Sequence, residues 1–243
     1  MTGKYPILVF DINETLLSFE SLESFFAKYF DDKKVLRQWF SEQILYSQAL
    51  TLSRNYYDFG ELATSVLQMV AELHNHSLND RVLLEFKQLL GQLLPYPEVE
   101  KGLEMLKQSG FRMIALTNSP TLSSKVSLER SGLRKYFENV ISVEEVQQYK
   151  PAPATYRRVR ELIGFEEKYC MIACHIWDLL GAQSENFDTA FIKRQGNATL
   201  PNLFQDNFVA DDLQELSKLL IKNIKQSSLN FLAASQDQNF LLR

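Results

Sequence analysis

The chain has 243 residues, 45% hydrophobic and 23% charged, with a formal net charge of -4. That is ample apolar material for a core without disulfide or metal staples, and the lack of a Lys/Arg stripe argues against a nucleic-acid partner. No apolar run reaches the roughly 18 residues of a membrane helix, and the opening MTGKYPILVF meets Asp11 too soon for a signal peptide. A cytoplasmic protein with no membrane partner is therefore expected. Its two cysteines, Cys170 and Cys174, share one apolar stretch and read as reduced thiols.

Ile7–Phe10 is a continuous apolar run, as expected of a strand buried on both faces of a parallel sheet. From about Ser21 to Leu94 the apolar spacing becomes helical, with only two glycines and no convincing strand. Amphipathic helices are predicted near Leu22–Tyr29, Lys34–Leu50, Phe59–His74 and Asn79–Leu93. Pro95 and Pro97 punctuate the chain. Beyond them the pattern alternates. Helices are predicted at Glu98–Ser109, Ser123–Ser131, Ala154–Ile163, Leu179–Asn186 and Leu213–Lys222. Strands are predicted at Arg112–Leu116, Asn139–Ser142, Cys170–Ala173, Thr189–Ile192 and Phe208–Ala210.

Strand–helix alternation with buried strands predicts an α/β fold, a doubly wound Rossmann-like parallel sheet. The core would comprise residues 1–17 and 96–225. An all-helical cap, residues 18–95, would be inserted after the first strand. Residues 226–243 read as a polar-leaning tail in which Phe231, Leu232, Phe240 and Leu241 could dock on a neighbouring surface.

In open α/β sheets, sites form at the carboxyl ends of the strands. That rule gathers four loops: DINET (Asp11 to Thr15), TNS (Thr117 to Ser119), YKP (Tyr149 to Pro151) and ACHIWD (Ala173 to Asp178). Their order and strand-end positions resemble the four motifs of the haloacid dehalogenase superfamily, over essentially the whole core. The resemblance implies a covalent mechanism with Asp11 as nucleophile. Thr15, Thr117 and Asn118 would orient Asp11 or the substrate. Lys150 would stabilise the Asp11 charge, and Asp178 would hold Lys150 in place.

Most members of that superfamily are magnesium-dependent phosphatases with a second acid two residues after the nucleophile, which protonates the leaving alkoxide. Here that position is Asn13, and ACHIWD offers only Asp178 where Mg²⁺ asks for several hard oxygen ligands. A halide leaves as a stable anion and needs neither proton nor metal. Segments Trp39–Phe59, Tyr149–Val159 and Trp177–Asp178 with the residues after them are also similar to the L-2-haloacid dehalogenase branch. Within that resemblance Tyr156 is a substrate-pocket tyrosine, and Leu50 takes the place of a cap arginine, with Arg54 a weak substitute. His175 replaces an asparagine that positions water.

Histidine is a good base near neutral pH, and Glu14 lies in the same crevice. A Glu14–His175 dyad, used by a subgroup this sequence resembles, would activate the water that cleaves an Asp11 ester. Candidate walls for the halogen and α-carbon are Trp39, Phe40, Ile44, Leu45 and Trp177. His74 and His76 look solvent-facing and form no metal site. Cys174 reads as structural.

The expectation is thus hydrolysis of short 2-haloalkanoic acids to 2-hydroxy acids, without metal or organic cofactor. The partner is a small-molecule 2-haloacid, with a homodimer permitted. The alternatives are a magnesium-dependent small-molecule phosphatase, a non-catalytic binding module that kept the fold, and a related hydrolase with a non-halogenated substrate.

Overall fold

A computed structural model describes residues 5–224 and 226. Its centre is a six-stranded sheet, as the alternating pattern predicts. The strands are β1 (Ile7–Phe10), β4 (Met113–Thr117), β5 (Asn139–Ser142), β6 (Tyr169–Ala173), β7 (Asp188–Ile192) and β8 (Phe208–Ala210). They run in the order β5-β4-β1-β6-β7-β8, and every neighbouring pair is parallel. All four residues of β1 are buried, which explains why its sequence does not alternate: a parallel strand covered on both faces has no solvent side. The chain runs outward from β1 in both directions. The crevice beyond the carboxyl ends of β4, β1 and β6 is therefore the topological switch point.

Helices α5 (Val99–Gln108), α6 (Thr121–Arg130), α7 (Pro153–Ile163) and α8 (Ile176–Ser184), and a last helix over residues 213–224 (α9), accompany the sheet. Helix α8 starts three residues before the predicted Leu179. Its apolar period begins at Leu179, but the chain turns helical directly after His175, which caps it. Asp178 thus sits in the first turn, where the helix dipole favours an acid. Gly181 in α8 permits close packing, because a Cβ there would meet the Tyr156 ring at 2.6 Å.

Between β1 and β4 lie α1 (Glu20–Phe30), α2 (Val35–Leu52), α3 (Phe59–Leu73) and α4 (Asp80–Leu90). They pack on one another through Phe25, Phe26, Trp39 and Phe86, whose rings meet at centroid distances of 5.1–6.2 Å. Asp58 and Asn79 cap α3 and α4 by accepting from backbone N–H groups. The segment is not wholly without strand. Leu17–Ser18 (β2) and Leu94–Pro95 (β3) pair antiparallel where the chain leaves and rejoins the sheet. Two residues are too few to show a period of two.

His74 departs from its solvent-facing expectation: it is half-buried, with Nε2 2.8 Å from Gln38 Oε1 and its ring on Phe30, while His76 is exposed. No helix among the described residues is long and apolar enough to cross a membrane. Beyond residue 226, the tail lies outside the described residues.

Candidate active site

The loop after β1 is held tightly. Leu16 N and Leu17 N both donate to Ile12 O, and Glu14 N donates to Leu17 O at 2.8 Å. Glu14 adopts φ 64°, the left-handed region that a side chain with a Cβ rarely enters, and it is fully buried. Such strain persists only where the surrounding structure over-determines it, as these loop hydrogen bonds do here. The turn brings Asp11, Asn13, Glu14 and Thr15 to the end of the sheet beside the loops after β4, β5 and β6.

Asp11 is bound at both oxygens. Lys150 Nζ donates to Oδ1 at 2.7 Å and Thr15 Oγ1 to Oδ2 at 2.6 Å. Burial would push the Asp11 carboxyl up, but the Lys150 charge, with His175 beside it, holds it well below the usual carboxylate range. Lys150 is itself fully buried, donating also to Asp178 Oδ2 at 2.6 Å and Leu116 O at 3.1 Å. Burial disfavours its charge, but Asp11 and Asp178 outweigh that and raise its pKa. Asn118 Oδ1 accepts from Lys150 N at 2.9 Å and fixes that loop. Asn13 Nδ2 donates to Ser119 Oγ at 3.2 Å, and Ser119 N to Thr117 Oγ1 at 3.1 Å.

His175 lies between two acids. Its Nε2 is 2.8 Å from Glu14 Oε2, and its Nδ1 is 3.3 Å from Asp11 Oδ2. Its ring packs on Trp177 at 4.9 Å and on Phe40 at 5.3 Å. Burial opposes a charge on the imidazole, but Cys174, Asp11 and Glu14 outweigh it and raise its pKa well above the ordinary value. Glu14 is held ionised in turn: burial would raise its pKa, but His175, Arg37 and Asn197 lower it.

Three of the expected roles change. Trp39 does not wall the pocket at Asp11; it is buried among the helices of 20–90, with its N–H donating to Ala63 O at 2.9 Å, and borders a neighbouring cavity. Tyr156 does not line the pocket. It is fully buried, and its hydroxyl donates to Asp178 Oδ1 at 2.6 Å and Asp178 O at 2.9 Å. The tyrosine faces inward because α7 packs against α8, so it positions Asp178. Leu45 is 57% exposed and no wall residue, since it lies on the outer face of α2. Arg54 is exposed past the end of the same helix and approaches nothing in the site. Leu50 packs partly buried against the main core.

The arginines that do reach the site carry no local sequence signal. Arg37, on α2, forms an ion pair with Glu14 Oε1 and donates to Gln195 O at 3.2 Å. Arg194 donates to Thr15 O at 2.8 and 3.2 Å, pairs with Glu98 at 2.8 Å and lies over the Tyr96 ring at 3.8 Å. It pins the backbone that carries Thr15. Cys174 is also closer to the chemistry than its structural reading implied. Its N–H binds Thr15 Oγ1 at 3.1 Å and its Sγ lies 3.5 Å from His175 Nε2. Burial pushes its thiol up, which suits a neutral packing group.

A pocket of about 20 Å³ touches Asp11 and is walled by Phe40, Ile44, Phe59, Thr117, Asn118 and Trp177, with Asn13, Ser119 and His175. The donor set does not suit Mg²⁺. Both oxygens of Asp11 and both of Asp178 already face Lys150, Thr15 or Tyr156, and Mg²⁺ needs free hard oxygens. Donor atoms of Glu14, Cys174 and His175 cluster within 4.8 Å of one another, but Glu14 and His175 face each other at 2.8 Å rather than an open centre.

A family model described as haloacid dehalogenase-like hydrolase matches residues 5–184. (S)-2-haloacid dehalogenase 4A of Burkholderia cepacia is 28% identical over 195 residues, covering 78% of this chain and 83% of that protein. (S)-2-haloacid dehalogenase 2 of Pseudomonas sp. (strain CBS-3) is 26% identical over 216 residues, covering 88% and 94%. A crystal structure described as a dehalogenase with intermediate complex superposes with a TM-score of 0.81 at 26% identity, over 91% of this chain and 99% of that one.

Proposed function

We propose, from the premise that this chain belongs to the haloacid dehalogenase-like hydrolase family, that it removes halide hydrolytically from (S)-2-haloalkanoic acids and releases 2-hydroxy acids. The observation that carries this reading is the seat of Asp11. Its carboxylate is ionised and fixed at both oxygens, it borders an apolar pocket, and Asn13 stands where proton donation to an alkoxide would need an acid.

In the first step Asp11 attacks the α-carbon opposite the halogen. A C–O bond forms, the C–X pair leaves with the halide, and the carbon inverts. The aromatic walls exclude water and favour this displacement. Asn13, Thr117 and Asn118 border the substrate, with Phe40, Ile44 and Trp177 as its apolar walls. The neutral ester removes one of the two anions beside His175. Its raised pKa then falls, and His175 gives up a proton while Glu14 keeps the Nε2 side oriented.

In the second step Nδ1 takes a proton from water, and the oxygen attacks the ester carbonyl carbon. The bond from the Asp11 carbonyl carbon to the substrate oxygen breaks, that oxygen takes the second proton of the water, and the 2-hydroxy acid leaves with the configuration of the first step, with Asp11 ionised and His175 protonated again. Lys150 stabilises the developing charge and is held by Asp178, which Tyr156 positions. Residues 18–95 act as a cap over the sheet that carries the site.

The test is halide release from bromoacetate and (S)-2-bromopropionate with EDTA present. Release with inversion is expected. No halide from either acid, together with Mg²⁺-stimulated phosphate release from nitrophenyl phosphate that Asp11→Asn abolishes, would replace this reading with a phosphatase.

A further inference from the structure

The pocket at Asp11 measures about 20 Å³, about the room one water needs. It suits the reacting carbon and its halogen, and a longer substituent would extend beyond it. The space next to it is a second cavity of about 450 Å³, and Asn13, Phe40, Phe59 and Ser119 line both. That volume falls within the roughly 300–1,000 Å³ of sites for drug-sized ligands. An acid of two or three carbons would leave most of it unfilled.

The cavity walls include Phe19, Trp39, Phe59, Ala63 and Leu90. Gln43, Ser123 and Ser124 also line it, and they donate to Phe59 O at 3.2 Å, Pro120 O at 3.0 Å and Ser119 O at 3.3 Å. The Trp39 N–H is satisfied by Ala63 O at 2.9 Å and asks nothing of a ligand. The charged lining groups, Asp58, Glu61 and Lys87, are half-buried or exposed, and Asp58 is engaged in capping α3. Leu122, 76% exposed, borders the opening between α4 and α6. The interior therefore matches an uncharged chain that runs from Asp11 towards solvent.

We infer that this cavity is a subsite for an unbranched aliphatic substituent on the α-carbon, so that the preferred substrates are medium-chain 2-haloalkanoic acids rather than two- or three-carbon ones. The inference rests on the dehalogenase reading for its head group and deepens it by naming the substrate class. Each methylene taken from water there strengthens binding roughly fourfold.

The chain has two tryptophans. Trp177 faces the small pocket and Trp39 the large cavity, so Trp177→Phe leaves an emission that reports on the cavity alone. In that variant and in the unaltered chain, (R)-2-hydroxyoctanoate and (R)-lactate would be titrated as non-halogenated ligands. The octanoate derivative is expected to shift Trp39 emission and to bind at least about tenfold more tightly than lactate. Ser127→Phe, which fills the cavity from α6, should erase that ratio. In turnover, kcat/KM should rise from 2-bromopropionate to 2-bromooctanoate. Equal affinities for the two hydroxy acids, an unmoved Trp39 emission, or a ratio unchanged by Ser127→Phe would each overturn the subsite. Hydroxy-acid binding needs no halide chemistry. A Trp39 shift with the expected ratio, but no halide from any bromo acid, would therefore support the subsite while removing the dehalogenase reading.

Discussion

His175 Nδ1 lies 3.3 Å from Asp11 Oδ2, so one imidazole nitrogen faces the carboxylate proposed as nucleophile while the other binds Glu14 at 2.8 Å. No other histidine approaches the site: His74 and His76 pack on Phe30. In the proposed mechanism the release of Asp11 therefore depends on a single ring.

Replacing that ring should separate the two halves of the reaction. His175→Ala is expected to expel one equivalent of halide and then stall, with the ester step slowed about 10²–10⁴-fold. Mass spectrometry of the protein after exposure to 2-bromopropionate should find Asp11 heavier by the acid residue. An unmodified Asp11 alongside lost activity would contradict the role of His175.

The charge on His175 has a sign that can be followed. Its pKa is raised in the folded enzyme. The stability it contributes is thus fully present below its unfolded pKa of about 6.5 and is lost as pH rises through the folded value. Asp11 and Glu14 are depressed, so theirs is present above the unfolded carboxylate range and lost as pH falls through their folded values. Urea midpoints across pH should show the upper loss in the unaltered enzyme and not in His175→Gln; parallel curves would refute it. In a weakly buffered mixture at neutral pH, an indicator should also record a proton burst with ester formation.

Lys150, itself fully buried, joins two buried carboxylates. Lys150→Met leaves Asp11 and Asp178 buried side by side without a cation, and breaking such a pair costs about 3–5 kcal/mol. The expected result is a folded but destabilised protein at best, with no detectable halide release. Its urea midpoint should recover partly in Lys150→Met/Asp178→Asn. No recovery in the double variant would show that the loss is not electrostatic.

Arg37 reaches Glu14 from α2, outside the sheet. Arg37→Ala should raise the Glu14 pKa and shift the acidic limb of the ester-hydrolysis pH profile upward, slowing that step roughly tenfold near neutrality. Arg37→Lys should restore part of it. A loss confined to KM, with an unmoved pH limb, would assign Arg37 to substrate binding instead.

Much of the fold was legible without coordinates. Buried strands such as Ile7–Phe10 and Cys170–Ala173 declare themselves as apolar runs, and the helical period of 21–94 is equally plain. The two-residue pair β2–β3 was not, because a period needs length to show. The loops that carry Asp11, Glu14, Lys150, His175 and Asp178 were readable as strand ends, since the topology of an α/β sheet brings those ends together, and the resemblance to a known family picked out the residues within them.

Tyr156 shows where that logic stops: its position on α7 was readable, but whether it faces substrate or Asp178 depends on how α7 meets α8. Arg37 and Arg194 are stronger cases. Their partners lie in other elements, and nothing in their neighbours distinguishes them from surface arginines. The sequence by itself determined the order of elements and which loops meet at the crevice, because both follow from local periodicity and the topology of a parallel sheet. Only the tertiary structure decided which charges meet Glu14 and Thr15 and how large a space opens beside Asp11, because those depend on packing between segments distant along the chain.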